Sequence, residues 1–398
     1  MKFLSRRLLW GTVLVALLCF GLIAARYINK NLVGLGPIPT RSAFAGRLPS
    51  LEGDPHHFQF FYATNRANTE DTFNAQGNQL GDTIATGTFD VRISPYLAIK
   101  PFVWFDSESI KWLARNELHK NTFVPMLRQA VQASPQKSLL IIVWGFRDWF
   151  QSAALKTAYT AYALDINTPV LLFDWPGNQG EGTRGYAASR VMATRSGQDL
   201  GQTLARAIQE TGAERIWLMG SSLGCQTICD SLKWLASQPE LLEGKTKIDH
   251  VVLSAPDVSA NAFDETFSHQ IQSVSKHLTA YVSSNDRALL MSQWLNGSRR
   301  LGRTAEISIP PEDRVGEYEF EEALELLDLQ AKGARNISII DATPINTLRN
   351  LHHFFTDSPV FFDDLYQRLL QPDDIVNRRL HTVHNRTQGM TYWILWND

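Results

Sequence analysis

One stretch restricts the fold of this chain more than any other. Residues 215–220 form an apolar run, RIWLMG, which continues into the frame Gly-Ser-Ser-Leu-Gly at 220–224 and then into a segment with apolar residues at helical spacing. This order predicts a strand, a tight turn and a helix. Any side chain larger than glycine at either end of the frame is expected to collide with neighbouring backbone. The middle residue, Ser222, is expected to project from the turn.

Short apolar runs and helical patterns alternate along the chain from residue 58 onward. The predicted strands are 57–66, 86–94, 138–144, 168–175, 215–220, 249–257, 278–286 and 336–341. Predicted helices, such as 153–166 and 196–212, separate most of these strands. Strands that alternate with helices form a mainly parallel sheet with helices on both faces, so we predict the α/β class. Such sheets bind their ligands at the carboxyl ends of the strands.

The charge balance argues against nucleic acid as a partner. The 398 residues include 38 basic and 40 acidic side chains, for a formal net charge of -2. A chain without excess positive charge has no overall field that attracts a polyanion. We therefore expect no nucleic acid partner.

The N-terminus carries an apolar stretch long enough to cross a bilayer. Residues 8–25 contain no charged side chain, and Lys2, Arg6 and Arg7 precede them. A helix of that length reaches about 27 Å, close to the thickness of the hydrocarbon core. Cleavable signal peptides have a shorter apolar region and a cleavage site with small residues. We therefore predict an uncleaved signal anchor, with secretion after signal cleavage as the alternative.

The predicted organisation has three parts. Residues 1–32 comprise a cytoplasmic stub and the transmembrane helix, and residues 33–55 form a linker containing Gly and Pro. Residues 56–398 form the large α/β domain. We expect a single pass through the inner (cytoplasmic) membrane, with the large domain on the periplasmic side.

Ser222 needs a base and an orienting acid, because a serine hydroxyl is a poor nucleophile at neutral pH. In this kind of fold the acid and then the histidine follow the serine in the chain. Asp257 and Asp286 each end a predicted strand. The position two strands after the turn favours Asp286 and leaves Asp257 as the alternative acid. His352 and His353 follow the last predicted strand, in a loop from which a histidine can reach back over the sheet.

Two backbone N–H groups are candidates for an oxyanion hole. One belongs to Leu223, directly after Ser222. The other should come from the loop after strand 138–144, where Gly145 allows the backbone to approach a substrate, which indicates Phe146. Loss of one such donor costs about 2.7–4 kcal/mol of transition-state stabilisation.

The histidines do not predict a metal site. His381 and His384 have a spacing that metal sites use, but no cluster of Cys, Asp or Glu accompanies them. We interpret them as surface or packing residues, and His56 and His57 likewise. We therefore expect neither a metal ion nor a cofactor.

Seven segments, in order, resemble a bacterial, esterase/lipase-like branch of the α/β-hydrolase superfamily. They are FYATNR (61–66), VWGFRDWF (143–150), LFDWPGNQGEGTRGY (172–186), LMGSSLG (218–224), VVLSAPDVSANAF (251–263), SSNDRALLMS (283–292) and LHHFFTDSPVFFDDL (351–365). The resemblance spans about residues 58–368. It implies an α/β-hydrolase fold for 56–398, with Ser222 as nucleophile, Asp286 as acid and His352 as base.

The chain departs from the pattern of this branch at several positions, among them 351–354, where relatives tend to have Gly-His-Ser-Tyr and this chain has Leu-His-His-Phe. Relatives often have His-Gly-Phe-Asn where this chain has Trp144-Gly145-Phe146-Arg147, and a histidine where it has Ser221. A backbone donor survives a change of side chain, so the oxyanion hole is compatible with these differences. We expect Trp144, Arg147 and Ser221 to line a pocket that determines specificity.

The predicted function is that of a membrane-anchored serine hydrolase that cleaves an ester or related acyl bond. Its substrate is expected to be a small-molecule or lipid acyl compound. The alternative is a non-catalytic binding or scaffolding domain, because an α/β-hydrolase fold does not by itself fix function. The altered loop at 144–147 favours that alternative, and the presence of serine, acid and histidine favours catalysis.

Overall fold

The architecture was analysed in a computed structural model. It describes residues 56–68, 76–94, 109–164, 166–245, 247–303, 337–347, 351–371, 380–385 and 390–395. The predicted transmembrane stretch at 8–25 and the linker at 33–55 lie outside these residues. Within the described ranges, no helix has both the length and the apolar character needed to cross a bilayer.

An eleven-stranded sheet runs through the described residues. Its strands are β1 (His57–Asn68), β2 (Gln76–Ile93), β3 (Ile110–Glu117), β4 (Ser138–Val143), β5 (Val170–Asp174), β6 (Arg215–Ser221), β7 (Ile248–Ser254), β8 (Ser275–Val282), β9 (Ile337–Asp341), β10 (Leu380–Asn385) and β11 (Met390–Leu395). Their spatial order is β10-β11-β9-β8-β7-β6-β4-β5-β1-β2-β3. Every pair from β11 to β1 is parallel, whereas β10 with β11, β1 with β2 and β2 with β3 are antiparallel.

Helices connect the strands. They are α1 (Lys120–Ala133), α2 (Phe150–Leu164), α3 (Gly182–Arg195), α4 (Gly197–Glu210), α5 (Gly224–Ala236), α6 (Ala260–Ala262), α7 (Ser268–Val274), α8 (Arg287–Asn296), α9 (Phe354–Asp357) and α10 (Pro359–Leu370). A π-helical turn at Phe263–Phe267 joins α6 to α7, and short 3-10 turns lie at Pro239–Leu241, Leu301–Arg303 and Thr343–Ile345.

The sheet buries an apolar core on each face. One core includes Leu127 of α1, Leu204 of α4 and Ile228 of α5, and the other includes Tyr159 of α2 and Leu365 of α10. Strands β4, β5 and β7 are buried at every position, which explains the apolar runs LLIIV, VLLF and VVL within them. The predicted α/β class, with a mainly parallel sheet and helices on both faces, is confirmed.

The edges of the sheet differ from the prediction. Strand β2 begins at Gln76 rather than residue 86, because it continues to pair with β1 as far as Asn68. Strand β3 was not predicted, since its sequence IKWLARNE is neither a continuous apolar run nor a regular alternation of polar and apolar residues. The C-terminal tail forms β11, which pairs with both β9 and β10, so β10 is the edge strand.

Candidate active site

The turn after β6 holds Ser222 in an unusual backbone conformation. Its φ is 51°, in the left-handed region that residues other than glycine rarely adopt. The Ser222 N–H donates to the carbonyl of Ser254 at 2.9 Å, and its carbonyl accepts from the N–H of Asp257 at 3.1 Å. Both partners lie at or just after the end of β7, so the neighbouring strand holds the turn in this conformation. The side chain is half-buried at the carboxyl edge of the sheet.

The two glycines of the turn are needed for different reasons. A Cβ at Gly224 would lie 2.5 Å from the carbonyl oxygen of Val143 and 2.6 Å from that of Trp144, so α5 begins directly against the end of β4. At Gly220 the nearest atom would be Cδ1 of Ile228, at 2.5 Å. The expected collision with backbone therefore holds at 224, whereas at 220 the obstacle is a side chain.

Ser222, His352 and Asp286 form a continuous hydrogen-bonded chain. The Nε2 atom of His352 lies 3.1 Å from Ser222 Oγ, and its Nδ1 atom lies 2.6 Å from Asp286 Oδ2. The other carboxylate oxygen of Asp286 accepts from the N–H of Leu289 at 2.9 Å and caps α8. One aspartate thus orients the histidine and fixes the start of a helix, and its side chain is fully buried.

A polar loop presents His352 to the serine. Leu351 has a φ of 50°, and its carbonyl accepts from Nδ2 of Asn346 at 2.6 Å. Asn346 Nδ2 also donates to Oγ of Ser283, which follows β8, at 2.9 Å. His353 packs its ring edgewise on that of His352, with 5.5 Å between the ring centroids. Of the two candidate histidines, it is His352 whose ring reaches the serine.

The surroundings of His352 favour its protonated form. Burial by itself lowers the pKa of His352, but the charge and hydrogen bond of Asp286, with a smaller contribution from Asp257, raise it above the ordinary value of 6.5. A histidine with a raised pKa accepts a proton readily and holds it as imidazolium. This is the property required of a base that takes a proton from a serine.

Asp257, the alternative acid, belongs to a separate buried cluster. Its Oδ2 accepts from the hydroxyl of Tyr186 at 2.7 Å, its Oδ1 accepts from Ser292 Oγ at 2.5 Å, and Arg300 Nε lies 3.3 Å away. Burial, reinforced by the Asp257 charge, raises the pKa of Tyr186 to about 12, so this hydroxyl remains a donor. The structure therefore leaves the other aspartate as the partner of His352.

The two proposed oxyanion donors lie in adjacent turns. A Cβ on Gly145 would be 2.9 Å from Ser222 Cβ and 3.2 Å from the nitrogen of Leu223. Only glycine permits this approach. Within the described part of the chain, neither the Leu223 nor the Phe146 N–H donates to another protein group. Both amides are thus available to an oxygen atom bound beside Ser222.

The residues expected to line a pocket occupy different environments. Trp144 is 2% exposed and donates from its indole nitrogen to Thr157 Oγ1 at 2.9 Å, so it is part of the packing beneath the site. Ser221 is likewise 2% exposed. The structure therefore does not place these two side chains on an open pocket wall. Arg147 is exposed and pairs with Glu181 at 2.7 Å.

Tyr186 is a site residue that the sequence analysis did not single out. Its ring packs edgewise on that of Phe146, with 5.7 Å between centroids, and both side chains are half-buried. Because its hydroxyl is fixed to Asp257, Tyr186 connects the loop after β4 to the end of β7. The only sequence signal was its place in the segment at 172–186.

Arg66 is a second residue that the sequence analysis did not single out, and it holds the loop after β4 in place. Its guanidinium binds both carboxylate oxygens of Asp174, at 2.6 and 3.1 Å, and donates to the carbonyl of Asp148 at 2.8 Å. Thr64 adds a hydroxyl donor to Asp174 at 2.9 Å. The pair is buried and connects the end of β1, the end of β5 and the loop that carries Phe146.

A sequence comparison agrees with this fold. The profile of a family described as alpha/beta hydrolase of unknown function (DUF900) matches residues 119–354. The chain belongs to this family. The matched part of the DUF900 protein contains Ser222, Asp286 and His352. No curated protein matches the chain.

Several solved structures are similar to this DUF900 protein at low sequence identity. The Pyrococcus furiosus esterase Pf2001 is 14% identical, with 59% of this chain and 79% of that chain covered and a TM-score of 0.32. LpqC, a poly(3-hydroxybutyrate) depolymerase from Bordetella parapertussis, is 12% identical, with 82% and 92% covered and a TM-score of 0.35. An esterase from Rhizomucor miehei is 11% identical, with 83% and 87% covered and a TM-score of 0.31.

Proposed function

We propose that this DUF900 protein is a serine hydrolase that cleaves an ester or related acyl bond through an acyl-enzyme. The observation that carries the proposal is the chain of hydrogen bonds from Ser222 through His352 to Asp286, at 3.1 and 2.6 Å. A hydroxyl held against a buried imidazole that is oriented by a carboxylate is the arrangement that makes serine a nucleophile.

The reaction has two halves. In the first, Ser222 Oγ forms a bond to the acyl carbon while its proton moves to Nε2 of His352. The bond to the leaving alcohol then breaks, and the alcohol takes the proton from His352. In the second half, water gives a proton to His352 and attacks the acyl carbon, and the acid is released as Ser222 regains its proton.

Two amides and one carboxylate stabilise the charges that form. The Leu223 and Phe146 N–H groups would donate to the oxyanion of each tetrahedral intermediate. Asp286 stabilises the imidazolium and holds the ring with Nε2 towards Ser222. Each of these groups is held in place before substrate binds, so little reorganisation is needed during the reaction.

Burst kinetics with p-nitrophenyl esters of short acids test the proposal. The full chain should release a stoichiometric burst of p-nitrophenol, and Ser222→Ala should abolish it with the fold retained by circular dichroism. Ser221→Ala is the matched control, one residue away, and should retain the burst. A burst that survives Ser222→Ala would contradict the assignment.

The non-catalytic alternative predicts another pattern. A scaffolding domain would give no burst from any ester or thioester, and wild type would resemble Ser222→Ala throughout. The continuous hydrogen-bonded triad and the two available amides favour catalysis over this alternative. A panel of acyl substrates that varies chain length and leaving group would define the substrate class.

We also propose that residues 8–25 anchor the chain in the inner membrane, with the hydrolase domain on the periplasmic side. The support is the uncharged length of that stretch and the positive residues that precede it. Membranes washed at alkaline pH should retain an anchored chain, whereas release into the wash would favour a chain secreted after signal cleavage.

A further inference from the structure

Two helices next to the candidate active site expose large apolar side chains. Among the described residues, six large apolar side chains are exposed, and four of them lie on α3 and α8. These four are Val191 (57% exposed), Met291 (52%), Trp294 (74%) and Leu295 (43%). Exposed apolar side chains concentrated in one place indicate an interaction surface.

The same helices are strongly basic. Residues 182–195 of α3 and 287–296 of α8 contain four arginines and no Asp or Glu. Arg184, Arg195 and Arg287 are exposed. A surface that combines exposed apolar side chains with exposed arginines is complementary to an anionic, partly apolar partner.

Hydrogen bonds hold α3 and α8 side by side. The hydroxyl of Tyr186 lies 2.7 Å from Ser292 Oγ, and Asn296 Nδ2 donates to that hydroxyl at 3.1 Å. Arg190 also bonds to Asn296. These contacts occupy the facing sides of the two helices, and Val191, Met291 and Trp294 are exposed on other sides.

This surface adjoins the catalytic groups. Asp286 caps α8 and also binds His352, while Tyr186 of α3 packs on Phe146. A partner that covers the outer sides of α3 and α8 would therefore lie close to the mouth of the site.

We propose that this surface docks on an anionic phospholipid bilayer. We define the α3–α8 surface by seven side chains: Arg184, Val191, Arg195, Arg287, Met291, Trp294 and Leu295. Trp and long aliphatic side chains insert at the level of the head groups, while arginines bind lipid phosphates. Docking itself does not depend on the proposed function. The consequence that membrane acyl esters reach Ser222 directly does rest on it.

Trp294 provides a direct readout of docking. The full chain is reconstituted into vesicles of phosphatidylcholine, with or without phosphatidylglycerol, whose acyl chains carry bromine. The difference between wild type and Trp294→Phe isolates the fluorescence of Trp294, and residues 8–25 are present in both samples. We expect this difference signal to be quenched, and more strongly on the anionic vesicles. Trp112 lies on β3 at the far edge of the sheet and serves as the control. The difference between wild type and Trp112→Phe isolates its fluorescence, which should remain unquenched.

A charge variant tests the electrostatic contribution to docking. Each arginine near an anionic leaflet is worth about 1 kcal/mol, so Arg287→Gln should lower the ratio of docked to undocked chain about fivefold on anionic vesicles. Lys111→Gln removes one exposed charge from β3 and should leave the ratio unchanged. Equal effects of the two variants would overturn the proposal.

An activity comparison separates this proposal from the proposed function. The double variant Met291→Ser/Trp294→Ser should hydrolyse a dissolved short-chain ester at the wild-type rate, but an ester carried in anionic vesicles about tenfold more slowly. Quenching of Trp294 without hydrolysis of any ester would refute the hydrolase and leave the docking intact. Hydrolysis of dissolved ester with no quenching would refute the docking alone.

Other occupants of the surface give distinguishable results. Residues 304–336 carry nine acidic and three basic side chains. If Trp294 is quenched by lipid only after this segment is deleted, the chain's own acidic segment covers the surface and the proposal is overturned. A self-association of the full chain that Trp294→Ser abolishes would assign the surface to a second copy and would also overturn it.

Discussion

Asp286 has two hydrogen-bonding tasks, and together they determine the orientation of His352. One carboxylate oxygen caps α8 by accepting from the N–H of Leu289. This hydrogen bond fixes the orientation of the carboxylate and therefore the position of its other oxygen. That oxygen accepts from Nδ1 of His352 at 2.6 Å. The histidine is thereby held as the form that presents Nε2 to Ser222. A helix cap and a catalytic acid are compatible roles for one residue here.

The raised pKa of His352 predicts the pH dependence of hydrolysis. The base must be neutral to accept the serine proton, so kcat/KM for a dissolved ester should rise with pH through an inflection above 6.5. Asp286→Asn removes the charge that raises the pKa, so the inflection of the residual activity should move down while the rate falls. The measurement is kcat/KM from pH 5 to 9 for both proteins. An inflection below 6.5 in wild type would contradict this account.

At the scale of elements, the loop after β4 must touch the turn after β6. Gly145 makes this contact possible. Two residues later, Arg147 has a φ of 71° and donates its N–H to the carbonyl of Gly177 at 3.0 Å. The loop is therefore fixed on both sides of Phe146. Tyr186 adds a packing contact to the Phe146 ring itself.

A methyl group at 145 should disturb catalysis more than folding. In Gly145→Ala the new Cβ would meet Ser222 Cβ at 2.9 Å, so the loop must move away and take the Phe146 amide with it. We expect kcat to fall about 10²- to 10³-fold, as for the loss of one oxyanion donor. The cost in stability should be about 1–3 kcal/mol. Steady-state kinetics and urea unfolding of one preparation give both values, and an unchanged kcat would exclude Phe146 as a donor.

The sequence was sufficient to predict the strands that are buried on both faces. Strands β4 and β5 consist mostly of apolar residues because both of their faces are covered. Strand β3 was missed because it lies at the sheet edge, and its sequence IKWLARNE is neither a continuous apolar run nor a regular alternation of polar and apolar residues. The frame Gly-x-Ser-x-Gly selected Ser222, since the turn defines which residue projects.

The contacts around the site could not be predicted in the same way. Tyr186 and Asp257 are 71 positions apart, and Arg66 and Asp174 are 108 apart. No local pattern connects such pairs, because only the folded sheet brings them together. The same limit explains Trp144, which was expected to line a pocket because relatives often have a histidine there, but which instead bonds to Thr157.

At the scale of the whole molecule, Arg66 joins elements that are distant in the chain. It binds Asp174 at the end of β5 and the backbone of Asp148 beyond β4, while itself lying at the end of β1. Its side chain is fully buried. An ion pair removed from water in this way is costly to break, because one charge is then left buried without a partner.

Substitution of Arg66 should therefore destabilise the whole domain. Arg66→Met leaves Asp174 buried and unpaired, and the free energy of unfolding should fall by about 3–5 kcal/mol. Lys137→Met removes an exposed pair with Glu214 and should cost no more than about 1 kcal/mol. Chemical denaturation of the two variants measures the difference. Similar losses of unfolding free energy in both variants would mean that the buried pair stabilises the domain no more than the exposed pair does.

The proposed chemistry depends on Ser222 acting as a nucleophile that His352 and Asp286 activate. The most direct test is mass-spectrometric mapping of a fluorophosphonate adduct on the full chain, with His352→Ala as a folded comparison. The account predicts one adduct, on Ser222, formed by wild type and strongly reduced in His352→Ala. An adduct on another residue, or none on a folded wild-type chain, would contradict it.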